Sequence, residues 1–286
     1  MTVDVEDYFH VTAFANDIKR DDWNSLEYRA EKNTERVLQI FSETKTKATF
    51  FVLGWIAKKS PNLIKKIYAE GHEVACHGMT HQLVYRQTQE VFLQETRDAK
   101  ILLEDLISDA VVGYRAASYS IIHRSIWALD ILEGLGFKYD SSIFPIRHDI
   151  YGMPQSPRFP FHPTVGQMLE IPLTTVEFLG CRLPCGGGGY FRILPYFLFM
   201  AGLNRVNQKD KMSGVFYFHP WEIDDTQPRI KTGLRSRFRH YHNLSYTAER
   251  LLKLIKDFSW GRMDEVFLRS PSLKVPERFA LTNRLE

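Results

Sequence analysis

The sequence predicts an α/β fold in which parallel strands alternate with helices and close as a barrel. Three observations carry this. Short apolar runs recur, at residues 2–5, 48–52, 73–76, 111–115 and 137–142. Between them lie amphipathic stretches of helical period, at 33–43, 61–70, 88–106 and 125–135. Polar residues stand repeatedly at the strand ends: Asp4, His77, Arg115 and Asp140. In parallel βα units the C-terminal strand ends form the face where ligands bind.

The opening strand, Thr-Val-Asp-Val, is broken by Asp4 and followed by Glu6 and Asp7. An acid buried unpaired is costly, whereas one at a strand's C-terminal end stands beside a ligand site. A solvated acidic turn is the other reading. Val37, Leu38, Ile40 and Phe41 make one apolar helix face. Ser60 suits an N-cap and Pro61 the first helical position; Leu63, Ile64 and Ile67 then face the core. Gly136 follows the 125–135 helix at its C-terminal cap.

Residues 144–172 are rich in Pro and Gly and read mostly as loop, with a strand entry at 170–173. The glycine run 186–189 lacks the lysine and hydroxyl of a phosphate loop, and is expected to be a flexible substrate-side loop or tight turn. Residues 215–222 read as a buried strand ending in His219, which could equally be a core-edge histidine bonded to a carbonyl. The basic stretch 231–242 reads as a solvated face, with an anionic glycan or lipid headgroup as a lesser option. Residues 246–258 form a last amphipathic helix with Leu251, Leu252 and Ile255 inward. The tail after Gly261 is expected to be peripheral, and disordered from Arg269. No internal repeat or dividing linker is visible.

His77 and His81 stand four residues apart in Gly71-His72-Glu73-Val74-Ala75-Cys76-His77-Gly78-Met79-Thr80-His81. On one helical turn their imidazoles would point the same way and share a metal ion. A surface turn that happens to carry two histidines is the alternative.

The net charge of +3 is too mild to argue for nucleic acid. Thirteen Tyr and five Trp suit a large core or a carbohydrate-stacking groove. Cys76, Cys181 and Cys185 make no disulfide framework and read as reduced thiols. No apolar run is long enough to span a bilayer, and no leader pattern opens the chain. A cytoplasmic bacterial enzyme is therefore expected, with a membrane-peripheral location or a removed leader as alternatives.

Four segments in this order resemble the polysaccharide deacetylase family (carbohydrate esterase family 4, the NodB homology domain). Thr2-Val3-Asp4-Val5-Glu6-Asp7 resembles its opening acidic motif, and residues 48–52 its second strand. Residues 71–81 are similar to its histidine motif, and Phe218-His219-Pro220-Trp221-Glu222 to its final one. The Asp-Val-Glu-Asp-Tyr-Phe-His opening, Arg115-Ala116-Ala117-Ser118 and the glycine run followed by Tyr190-Phe191-Arg192 resemble the branch linked to exopolysaccharide biosynthesis.

The resemblance implies a distorted (β/α) barrel of about seven parallel strands over residues 1–225, with a C-terminal helical extension over 226–286 packed on it. It implies metal-dependent removal of acetyl groups from N-acetylhexosamine units of a polysaccharide or glycan precursor. The metal, zinc first with cobalt, manganese or nickel as alternatives, would be held by His77, His81 and one carboxylate, Glu6 or Asp7. An Asp-x-Asp spacing in some relatives favours Glu6. Asp4 would be the general base and His219 the general acid. Arg115 would hold Asp4 ionised, and Asp140 would orient Arg115 or support His219. A backbone N–H near Ser118 or Tyr119 would stabilise the oxyanion, and Tyr190 and Trp221 would also contact substrate. Three departures stand out: Val5 separates the acids, Ala117-Ser118 replaces the family's Pro-Tyr, and Gly78 follows the first histidine. A small-molecule amidase or imidase on the same fold, and a non-catalytic glycan-binding protein, are the competing readings.

Overall fold

The computed structural model describes residues 1–148, 150–163, 166–269, 278, 279 and 281. Strand β1 (Thr2–Val5) is buried along its whole length, as expected of a strand covered on both faces. It leads to helix α1 (Ala30–Glu43), whose Val37, Leu38, Ile40 and Phe41 are buried as their spacing requires. The helix starts earlier than its periodicity suggests. The Asp7 carboxylate accepts the N–H groups of Arg29 and Ala30 at 2.6 and 2.7 Å, so a distant residue caps the first turn.

Strand β2 (Thr49–Val52) pairs parallel with β1, Thr2 opposite Thr49 and Asp4 opposite Phe51. Helices α2 (Gly54–Lys59) and α3 (Pro61–Ala69) follow, with Pro61 in the first turn of α3. Ser60 precedes it without capping it: its hydroxyl donates to Glu31 and accepts from Tyr28. Strand β3 (Glu73–Cys76) is followed by α4 (Gln89–Ile107), where the Thr88 hydroxyl accepts the Val91 N–H. Strand β4 (Gly113–Tyr114), α5 (Trp127–Gly134) and strand β5 (Tyr139–Asp140) continue the alternation, and β6 (Leu169–Glu170) joins the edge.

Strands β7 (Thr175–Phe178) and β8 (Cys181–Pro184) form an antiparallel hairpin that the sequence reading missed. Leu179 and Gly180 at its tip both have positive φ, 47° and 77°, as a two-residue hairpin turn demands. Helices α6 (Gly188–Ile193) and α7 (Tyr196–Asn204) precede strand β9 (Tyr217–Phe218); α8 (Leu234–Tyr241) and α9 (Leu244–Asp257) follow it.

The seven parallel strands run in the order β6-β5-β4-β3-β2-β1-β9, the expected distorted (β/α) barrel, with β6 and β9 as its edges. The glycine run corrects the loop expectation. Gly187 pairs with Tyr217 on the β9 edge, and Gly188 begins α6. A Cβ at Gly186 would lie 2.5 Å from the Val215 carbonyl oxygen, and one at Gly187 2.6 Å from the Tyr217 hydroxyl. Gly186 and Gly187 are glycine because their backbone packs directly on strand and ring. The tail after Gly261 is not peripheral either, because Met263 and Phe267 are buried beneath the sheet beside Tyr217 and Leu173. The disorder expected from Arg269 falls almost wholly outside the described residues. Among the described residues, no helix is long and apolar enough to cross a membrane.

Candidate active site

Side chains alternate across a strand, so Asp4 and Glu6 leave the end of β1 on one side while Val3 and Val5 enter the core. That alternation accounts for the valine between the acids. His77 follows β3. Its Nδ1 lies 2.7 Å from the Arg115 carbonyl oxygen and its Nε2 lies 2.9 Å from Glu6 Oε1. His81 Nε2 lies 2.9 Å from the same oxygen.

The two histidines do not share a helical turn, contrary to the simplest use of their spacing. A loop with positive φ at Gly78 (76°) and His81 (53°) brings them together. The Gly54 and Trp55 N–H groups at the start of α2 hold that loop by donating to the Gly78 and Met79 carbonyls, both at 2.9 Å.

Glu6, His77 and His81 offer three ligand atoms within 4.8 Å of one another, all buried. The donor set fits a divalent ion with positions left open. The Nδ1–H of His77 is committed to a carbonyl, which leaves Nε2 as the free lone pair, an arrangement typical of metal-bound imidazole. Burial would push the Glu6 carboxyl up, but His81 and then His219 beside it hold it well below the usual range. Asp7 is not part of the cluster. Its oxygens accept the N–H groups of Tyr8, Arg29 and Ala30, and burial pushes it up to about 6 despite those donors.

Arg115, wholly buried, donates to Asp4 Oδ1 at 2.6 Å, to the Thr2 hydroxyl at 2.8 Å and to the Ser141 hydroxyl at 3.0 Å. Its guanidinium stacks 4.0 Å over the Phe51 ring. The Tyr119 hydroxyl donates to the other Asp4 oxygen at 3.4 Å. Ser118 and Tyr119 both have positive φ, near 50°, in a turn pinned by the contact of the Ser118 and Thr12 hydroxyls at 2.6 Å.

Asp140 takes neither expected role. It sits opposite Glu170 on the neighbouring strand, accepts from the Ser142 hydroxyl, and has no bond to Arg115 or His219. Burial pushes the Asp140 carboxyl up; burial, then the charge of Asp140, pushes Glu170 up. Two carboxyls this buried and close disfavour ionisation of both together.

The partner of His219 is Glu222, whose Oε1 accepts from Nδ1 at 2.8 Å and from the His219 N–H at 3.0 Å. Arg192, also buried, donates to the second Glu222 oxygen at 2.6 Å. Burial would raise Glu222, but Arg192 and His219 hold it at about 2. Burial would lower His219, but Glu6 and Glu222 raise it to about 9. Trp221 presents no free face for a sugar. Its ring lies between His219 at 5.2 Å and His240 at 4.1 Å, both stacked, so it positions the histidine instead.

These groups meet in one cavity of about 270 Å³. Asp4, Glu6, His81, Ser118, Tyr119 and His219 line it, with Tyr190 and Trp221 on its wall. His77 and Arg115 are packed behind it.

The model of the family described as "Polysaccharide deacetylase" matches residues 21–139. Over these residues the chain is similar to that family. A second model, "Domain of unknown function (DUF3473)", matches residues 141–268. The chain is 48% identical over 102 residues to a chitooligosaccharide deacetylase of Rhizobium leguminosarum bv. trifolii, covering 35% of this chain and 44% of that one. It is 34% identical over 99 residues to a chitooligosaccharide deacetylase of Sinorhizobium fredii, covering 35% and 44%. The chain thus spans less than half the length of the curated relatives it matches. A crystal structure of a putative polysaccharide deacetylase from Mycobacterium smegmatis shares the fold, with TM-score 0.61, 18% identity, and coverage of 98% of this chain and 91% of that one.

The polysaccharide deacetylase match contains His77, His81 and Arg115, whereas His219 and Glu222 lie in the second matched segment and Asp4 and Glu6 precede both. All three segments share one sheet, because β9 pairs with β1 and β1 with β2. Sequence reasoning passed over Arg192 and Glu222, although both stood inside quoted motifs. It also passed over His10, whose Nδ1 accepts the Asp7 N–H and whose ring packs against Trp23, Trp55 and His81. Only the side-chain geometry singles them out.

Proposed function

We propose that this protein hydrolyses the N-acetyl group of N-acetylhexosamine units in a polysaccharide or glycan precursor, releasing acetate. The observation that carries this is the opening of Asp4 and His219 into one cavity beside Glu6, His77 and His81. A glycan-binding surface needs neither a base nor an acid there.

Glu6, His77 and His81 would hold a divalent metal, zinc first with cobalt, manganese or nickel as alternatives. When bound, such an ion supplies polarisation of the amide carbonyl and a more acidic water. Asp4 accepts the proton of the attacking water as the new carbon–oxygen bond forms, and the Arg115 guanidinium at 2.6 Å holds Asp4 in position. The backbone N–H of Ser118 is the oxyanion donor that the turn presents, since the Tyr119 N–H is bonded to the Ala116 carbonyl. His219 gives its Nε2 proton to the departing amine as the carbon–nitrogen bond breaks. Glu222 on Nδ1 keeps that imidazole charged until then.

The test is acetate release from an N-acetylglucosamine oligomer by metal-stripped protein, with and without added zinc or cobalt. Release restored by metal and lowered about 100-fold or more in Asp4→Asn is expected. Stoichiometric metal binding without release would exclude that oligomer as substrate. Retained metal and release in His77→Ala would overturn the reading.

A further inference from the structure

We infer that α8 docks the protein onto an anionic membrane surface, with the cavity turned toward glycans held there. Residues 229–242 carry Arg229, Lys231, Arg235, Arg237 and Arg239 and no acidic residue. Lys231, Arg237 and Arg239 have no carboxylate partner among the described residues. Two apolar side chains stand one helical turn apart on this helix, Leu234 at 84% exposure and Phe238 at 53%. An exposed leucine and phenylalanine beside Lys231, Arg237 and Arg239 match a bilayer interface, where apolar groups enter the headgroup boundary and cations meet anionic lipid. A soluble partner chosen by charge alone would leave the apolar pair without a role.

The C-terminal turn of the helix is fastened to the body of the protein. The buried His240 ring stacks on Trp221 at 4.1 Å and packs on Phe14 at 4.6 Å. Arg192 donates to the Arg239, His240 and His242 carbonyls, so the cation that pairs with Glu222 also satisfies the end of α8. Leu234, in the first turn, is exposed. Arg239, at the C-terminal end of α8, lines the cavity with Ile193. The basic helix therefore borders the cavity itself.

The membrane contact stands on its own; that the glycan held there is deacetylated rests on the function proposed above. The experiment is co-sedimentation of the full chain with phosphatidylcholine vesicles, with and without phosphatidylglycerol, at low and high salt. Binding that requires phosphatidylglycerol and weakens with salt is expected. Lys231→Glu with Arg237→Glu should lower partitioning by roughly thirty-fold or more. Leu234→Glu with Phe238→Glu should also lower it, and both variants should melt like the wild type. No sedimentation with anionic vesicles, or unchanged sedimentation of both double variants, overturns the inference. Acetate release from a soluble oligomer, measured in parallel, is expected to be unchanged in both variants. Its absence from every form would exclude that oligomer as substrate and leave the vesicle result to stand by itself.

Discussion

Glu222 Oε1 lies 2.8 Å from His219 Nδ1, and the same carboxylate takes the Arg192 guanidinium on its other oxygen at 2.6 Å. Burial would lower the His219 pKa, but Glu6 and Glu222 raise it to about 9. Glu222→Gln removes one of the three charges, those of Glu6, Glu222 and Asp4, that favour the imidazolium. The expected outcome is a kcat lowered about 10- to 100-fold and an alkaline limb of the pH–rate profile moved to lower pH. Glu222→Asp should restore part of the shift. An unmoved limb in Glu222→Gln would separate His219 from the acid role.

Gly188 tests the same contact from the other side. A Cβ there would stand 2.2 Å from Glu222 Oε1, whereas one at Gly189 meets nothing within 4 Å. Gly188→Ala should displace Glu222 and lower kcat as Glu222→Gln does. Gly189→Ala should keep the fold and raise stability by about 0.5–1 kcal/mol, since alanine suits a helix better than glycine. Thermal melts and kcat of the two variants check this.

Glu6 and Asp7 separate in function. Glu6 faces both histidines, and Asp7 caps α1. Glu6→Gln should lower bound metal per chain. Asp7→Ala should leave metal content intact and cost about 1–2 kcal/mol of stability from the lost cap. Elemental analysis beside urea unfolding distinguishes them, and metal loss in Asp7→Ala alone would reverse the assignment.

Glu73 makes stability depend on pH. Burial, then Asp264, pushes its carboxyl up to about 7 in the folded chain. The folded state then holds a proton that the unfolded state releases above its ordinary value near 4.5. Its contribution is complete below that value and is lost as pH rises through about 7. Glu73→Gln should flatten urea stability across this window by on the order of 2 kcal/mol.

The barrel was legible because strands such as 2–5 and 73–76 are short, mostly apolar runs, and α1 and α4 keep their helical period. The β7–β8 hairpin escaped notice because its residues are largely exposed and its turn uses Leu179 rather than an asparagine or glycine pair. The glycine run was misread because a glycine required by close packing looks, along the chain, like a glycine required for flexibility. His77 and His81 were found by spacing, although the geometry that joins them is a loop with positive φ rather than a helix.

By itself the sequence determined the βα alternation and the residue types gathered at the strand ends. Both follow from periodicity and from the chemistry of single side chains. Only the tertiary structure decided that Glu6 rather than Asp7 faces the histidines, that Glu222 rather than Asp140 supports His219, and that Trp221 is enclosed between two imidazoles. Those choices depend on which backbone N–H groups, carbonyls and rings arrive from distant segments. A buried carboxylate goes to whichever donors fold against it.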